Sequence, residues 1–276
     1  MRRPLVITLV VVLALSALGY GGWRAYRYVY ERFTPEVCEV AVPGADPVTL
    51  SREQARNASI IVAASLESGL PEQAAIVAIA TAYQESALRN LDYGDRDSLG
   101  LFQQRPSYGW GSEEEIMDPW YASNRFYEEI VKFTDWENVD VNDMAQKVQR
   151  SGFHEAYRKH ENNERAVAGA MRGSSRETIS CLRFEEPETA NPAAFERVLG
   201  TFGDSLTTAS EGSTLTLTAN DQTTLWAAAQ QVVANSYEGG VVSVVVGDRQ
   251  WTHDRQGWQS AKESAPAGTA VVTLAG

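Results

Sequence analysis

The sequence predicts an α+β multidomain chain: an N-terminal transmembrane helix, a mainly α domain, and a small C-terminal α+β domain. Three observations carry this reading. An uncharged run lies near the N-terminus, apolar residues then recur at helical spacing, and strand-like alternation sets in after about residue 210. The 276 residues, 43% of them hydrophobic, can bury a sizeable core. A formal net charge of −12 with no compensating basic stripe opposes binding to nucleic acid or to an anionic lipid surface.

The N-terminus reads MRRPLVITLVVVLALSALGYGGWRAYRYVYERF. Pro4 to Trp23 carries no charge and is long enough to cross a bilayer as a helix. The end of the run offers only a weak small-x-small cleavage site, which favours a retained single-pass anchor over a signal peptide. Residues 1–34 are therefore read as cytoplasmic stub, membrane anchor and juxtamembrane segment, with both folded domains extracytoplasmic. In an exported protein the even pair Cys38 and Cys181 suggests a disulfide; two unrelated buried thiols are the alternative.

Residues 35–182 form the first domain. Ser51 with Gln54 makes a capping-box pattern ahead of ARNASIIVAASLESG, and Gly69 falls where that helix would stop. Pro71 suits the first turn of the next helix, whose EQAAIVAIATAYQES is apolar almost all round and places Glu85 in its last turn. NLDYGDRDSLGLFQQRPSYGWGS, residues 90–112, has loop composition. Helical patterns resume at Pro119 to Phe133, Val141 to Gln149, and across GFHEAYRKHENNERAVAGAMRG. Residues 183–210 read as an acidic linker with one short helix capped by Asn191 and started by Pro192. In residues 211–276, STLTLTA, GVVSVVV, RQWTH and AVVTLA read as strands and QTTLWAAAQQVVANS as a helix, with Gly247-Asp248 turning a hairpin.

Glu85 is the residue with chemical interest. A helix C-terminus and an apolar surround both favour the protonated carboxyl, the form that can donate a proton to a leaving sugar oxygen. From position alone, an exposed helix-end carboxylate is the commoner case. Asp92, Asp95, Asp97 and Asp118 are candidates for a second carboxylate, although GDRD also suits a polar loop whose aspartates bond backbone amides. Tyr108 and Trp110, in a glycine-bounded loop, are candidates for stacking on sugar rings, whereas Trp120 and Tyr121 on a helical stretch suit core packing. His154, His160 and His253 form no metal-ligand spacing with the cysteines, so no metal is expected.

The order ES followed by SLGLFQ, ending eighteen residues after the glutamate, resembles the signature of the soluble lytic transglycosylases and the wider lysozyme-like superfamily. The likeness covers roughly residues 48 to 180. The longer string NLDYGDRDSLGLFQQRPSYGWG is also similar to a group of membrane-anchored extracellular proteins of high-GC Gram-positive bacteria. The resemblance implies a lysozyme-like α domain in which Glu85 is the catalytic acid/base and Ser86 its supporting neighbour. Gly100, Leu101, Phe102 and Gln103 would form the wall of a glycan groove, with Ser98, Tyr108 and Trp110 as further binding residues. The implied substrate is the peptidoglycan glycan strand, cut at its β-1,4 bond without a cofactor. The sequence departs from the family pattern where Asp97 and Ser98 replace the first places of G-A-x-G. A-Y-N-A-G has only a loose counterpart at Ala145 and Gln146, in MAQKVQRSGFHEAY. A non-catalytic wall-binding or scaffolding protein is therefore the alternative. The C-terminal module carries no catalytic set, which leaves wall binding, docking of a cell-envelope protein, or spacing as its roles.

Overall fold

The computed structural model describes residues 2–149, 161–185 and 187–276, and the backbone divides into two units, Met1–Glu36 and Val37–Gly276. The first unit is one helix, α1 (Arg2–Phe33), along which Tyr26 stacks on Tyr30 with ring centroids 5.8 Å apart. The expectation of a transmembrane helix is corrected here. Among the described residues, no helix is long and apolar enough to cross a membrane. The helix that holds the uncharged run also holds Arg24, Arg27 and Arg32. A bilayer core requires about 20 predominantly apolar residues.

The second unit is α+β. Its capping box forms as the spacing predicts. The Ser51 hydroxyl accepts from the Gln54 amide at 3.2 Å, the Gln54 side chain accepts from the Ser51 amide at 2.7 Å, and α2 (Arg52–Glu67) follows. α3 (Glu72–Ser86) begins just after Pro71 and is buried almost all round from Ala74 to Ala82. α4 (Glu113–Ile116) leads to α5 (Pro119–Ile130), capped by Asp118, whose carboxylate accepts from the Trp120 amide at 2.9 Å. α6 (Val141–Gln149) and α7 (Glu161–Arg172) complete the mainly α part. The tract holding His154, His160 and most of the loose A-Y-N-A-G counterpart lies outside the described residues.

Three short strands, β1 (Cys38–Val40), β2 (Val48–Leu50) and β3 (Ile179–Cys181), make an antiparallel sheet of order β2-β1-β3. Cys38 and Cys181 face each other in its register and are joined by a disulfide. After α8 (Ala193–Gly200) come β4 (Leu206–Glu211), β5 (Thr214–Ala219), α9 (Gln222–Ala234), α10 (Ser236–Gly239), β6 (Val241–Val246), β7 (Arg249–Thr252), β8 (Trp258–Ser260) and β9 (Thr269–Leu274). Among the described residues these strands form an antiparallel sheet of order β4-β5-β9-β6-β7-β8. One of its faces is covered by α9, whose other side packs on α2 and α7. The sheet module and the helical part thus share one core.

Polar side chains inside that core have defined partners. The Gln230 side-chain amide donates to Ala170 O at 2.6 Å and Ser175 O at 2.7 Å, and its oxygen accepts from the Thr178 amide at 2.9 Å. Replacing Gln230 by Leu removes the acceptor of the Thr178 amide and leaves the two carbonyls only their longer bonds, from the Gly173 amide at 3.2 Å and the Thr178 hydroxyl at 3.4 Å, so the expected loss is about 2 kcal/mol of unfolding free energy in urea titrations.

Glu164 of α7 is a different case. It is 3% exposed, and among the described residues its Oε2 has no hydrogen-bond partner. Burial, aided by the charge of Glu161, pushes its carboxyl up to about 8. The folded chain therefore holds a proton between the ordinary value of 4.5 and about 8 that the unfolded chain has released. This contribution is fully present below 4.5 and declines as pH rises towards 8, at about 1 kcal/mol per pH unit. Stability measured between pH 5 and 8, a range inside that window, should fall less steeply in Glu164→Gln than in the parent chain.

Candidate functional site

α3 ends in an unusual turn. Ala87 and Leu88 both adopt left-handed backbone, with φ of 53° and 58°, conformations that disfavour residues bearing a Cβ. Two side chains of α2 hold this turn. Gln54 donates to Ala87 O and Asn57 to Leu88 O, each at 2.8 Å. Gln54 thus serves both the start of α2 and the end of α3. Glu85, half-buried, lies in the last turn just ahead of this clamp.

Ser86 joins the helix end to the GLFQ segment. Its hydroxyl is buried and lies 2.7 Å from Leu101 O and 2.9 Å from Ala82 O, so a single proton is shared between the loop carbonyl and the preceding helical turn. Gly100 has φ of 75°, and a Cβ there would sit 2.7 Å from Ile116 O, so both conformation and space require glycine. Leu101 and Phe102 are fully buried, with Phe102 stacked on Phe126 of α5 at 4.7 Å. Ser98 is also buried. These residues anchor the loop to the core. The loop is closed by paired backbone bonds between Leu99 and Gln104 of 2.9 and 3.0 Å.

Gln103, left-handed at φ 47°, is the point where the loop turns outward. Its side chain donates to Tyr93 O at 3.2 Å and packs so closely over Gly94 that a Cβ at 94 would lie 1.9 Å from its oxygen. Gln103, Tyr108 and Trp110 then line a cavity of about 450 Å³. The opposite wall comes from Arg125 and Glu129 of α5, Phe133 just beyond it, and Lys147 and Val148 of α6. Glu85 is outside the described lining.

The aspartate loop braces this cavity. Asp97 bonds the Arg105 guanidinium at 2.7 Å and accepts from the Ser107 amide at 2.8 Å. The Ser107 hydroxyl and amide, with Arg105, hold its carboxyl well below the usual range. Arg105 in turn lies 4.3 Å above the Tyr108 ring. Arg125 lies 5.4 Å above Trp110 and 2.6 Å from Glu129, which also pairs with Lys132 at 2.6 Å. Desolvation opposes ionisation of Glu129, but its bonds to Lys132 and Arg125 prevail and keep it below its ordinary value. Tyr121 donates to Trp110 O at 3.2 Å, while Trp120 is buried beneath Arg197. Among the described residues, no group of three His, Cys, Asp or Glu side chains is placed to hold a metal ion.

The α5 and α6 residues were not singled out from the sequence. One signal was present: Tyr121, Arg125 and Glu129 recur every four residues on α5, beside the row of buried Ala122, Phe126 and Ile130, and Phe133 continues that spacing just beyond the helix. No known family model matches this chain, and no curated protein matches its sequence.

The helix-end geometry can be tested by two neighbouring substitutions. Ser86→Ala removes the bond to Leu101 O and should lower stability by about 1 kcal/mol. Ala87→Gly relieves the left-handed strain and should raise it by about 1 kcal/mol, the opposite of Ala→Gly within a helix. Urea or thermal melts of the two variants give the signs.

Proposed function

We propose that this chain is an extracytoplasmic peptidoglycan-cleaving enzyme that acts on the β-1,4 glycosidic bond, with Glu85 as its single general acid/base. The observation that carries the reading is the Ser86–Leu101 hydrogen bond. It fastens the helix end bearing Glu85 to the segment whose Gln103, together with Tyr108 and Trp110, lines the cavity. Apolar ring faces of sugars suit Tyr108 and Trp110, and the cavity's size lies in the range of small-ligand sites. The disulfide suits an oxidising compartment.

The surrounding carboxylates favour a transglycosylase over a two-carboxylate hydrolase. Asp97 is taken up by Arg105 and Ser107, Glu129 by Arg125 and Lys132, and Asp118 by the start of α5. With these three described carboxylates engaged, a hydroxyl of the same sugar is the fitting nucleophile. Such intramolecular attack is entropically favoured and leaves an anhydro end. Glu85 then protonates the leaving oxygen and takes the proton from the attacking hydroxyl.

A second reading, a wall-binding protein without turnover, is favoured by the absence of Glu85 from the described cavity lining. Incubating the chain with purified peptidoglycan and analysing the soluble products by mass spectrometry decides between them. Release of anhydro-ended muropeptides is expected, with a loss of at least about a hundredfold in Glu85→Gln. Equal release by that variant sinks the catalytic assignment, and co-sedimentation with walls without any release supports the second reading.

A further inference from the structure

We propose that the groove between α8 and the edge strand β4 docks an extended, cationic segment of a partner protein, which joins the large sheet as an additional strand. Among the described residues β4 pairs with β5 alone, in unbroken register from Leu206↔Ala219 to Glu211↔Thr214, and Thr207 to Glu211 are all exposed. Natural edge strands are commonly blunted by lysine, proline, a bulge or a covering element. The sequence LTTASE contains no lysine or proline, its one charge, Glu211, stands at the strand's end, and the irregularity in this sheet lies between Val241 and Ser243, on an interior strand. The outer backbone groups of β4 are thus available to another strand.

A cavity of about 350 Å³ runs beside that edge. Leu206, Thr208 and Ser210, which share one face of β4 by the period of two, form its floor with Leu215, and Phe195 and Leu199 of α8 form its wall. A strand laid on β4 sends every second side chain into this groove, so its inward positions should be apolar. The charges specify the remainder. Glu196 is the titratable residue in the lining, Glu211 ends β4 on the opposite face, and Asp204 precedes the strand. Arg197 is directed away, 4.0 Å over the Trp120 ring. Lysine or arginine at the outward positions of the occupant complements this rim. A second copy of the chain would instead set Glu196, Asp204 and Glu211 near their equivalents in a protein of net charge −12.

The test uses the full chain and a fluorescein-labelled peptide of alternating lysine and valine, with fluorescence anisotropy as readout. An alternating glutamate and valine peptide, and the lysine peptide with a central proline, serve as controls. At Gly200, which also lines the groove, a Cβ would meet no atom within 4 Å, so the side chain of Gly200→Phe starts in open space beside the groove. Glu196→Lys reverses an exposed charge. The lysine peptide should bind, both controls should fail, and each substitution should weaken binding at least about tenfold with unchanged thermal melting. Absence of binding overturns the proposal, as does binding by Gly200→Phe equal to that of the parent, which would mark unspecific attraction to an acidic surface. A concentration-dependent dimer abolished by Gly200→Phe would overturn it in favour of a second copy.

Discussion

An α-helix leaves its last carbonyl oxygens without intrahelical partners, and in α7 these oxygens are taken up from the far part of the chain by Gln230 and Gln231. Both glutamines are fully buried on α9, a helix otherwise apolar from Leu225 to Ala234. Gln231 also accepts from Ser59 of α2, whose hydroxyl is bonded in turn by Asn235 at 2.7 Å. The helical part therefore depends on the sheet module for satisfaction of its own backbone. Without the Gln230 and Gln231 side chains, Met171 O would lose its bond and Ala170 O would keep only the 3.2 Å bond from the Gly173 amide, and an orphaned buried carbonyl costs about 1 to 3 kcal/mol. The change of texture near Arg183 in the sequence marks a change of secondary structure inside one unit.

From that junction the chain is fixed in both directions. Gln230 accepts from the amide of Thr178, which leads directly into β3, and β3 carries Cys181 to its disulfide with Cys38. The indole of Trp251 donates to Ser180 Oγ and that of Trp258 to Ile179 O, both at 3.0 Å, so the large sheet is stitched to the small one. The two tryptophans are also cross-strand partners in β7 and β8. Their polar edges thus serve the junction while their rings serve the core.

The sequence revealed what depends on near neighbours. The Ser51–Gln54 box, the apolar helix with Glu85 in its last turn, the start of α6, and the strands β5, β6 and β9 follow from the local pattern alone. β4 was hidden because an exposed edge need not alternate, and LTTASE reads as linker. β1, β2 and β3 are three residues each, too short to leave a period. The transmembrane expectation weighed the uncharged run and gave too little weight to the cations that share its helix. At the candidate site, Gln103, Tyr108 and Trp110 come from one contiguous loop and were legible, whereas Arg125, Glu129 and Lys147 arrive from helices brought in by packing.

The distribution of backbone strain bears on how the candidate site was selected. Ala87, Leu88, Arg96 and Gln103 all take left-handed conformations within seventeen residues, and none is glycine. Such conformations cost of order 1 kcal/mol each and persist where surrounding contacts over-determine them. Here those contacts can be named: Gln54 and Asn57 on the carbonyls of 87 and 88, Ser86 on Leu101, and Gln103 packed over Gly94. A purely structural helix end is satisfied more simply by one glycine after the last turn. Glycine is used in that way after α2, at Gly69. The contrast between the two helix ends of one chain shows that the strained arrangement is not a general habit of its turns. Asp135 and Glu177 take the same conformation singly, whereas four such residues are concentrated in the segment that carries Glu85 and leads to the cavity wall, where the position of side chains is set at the expense of stability.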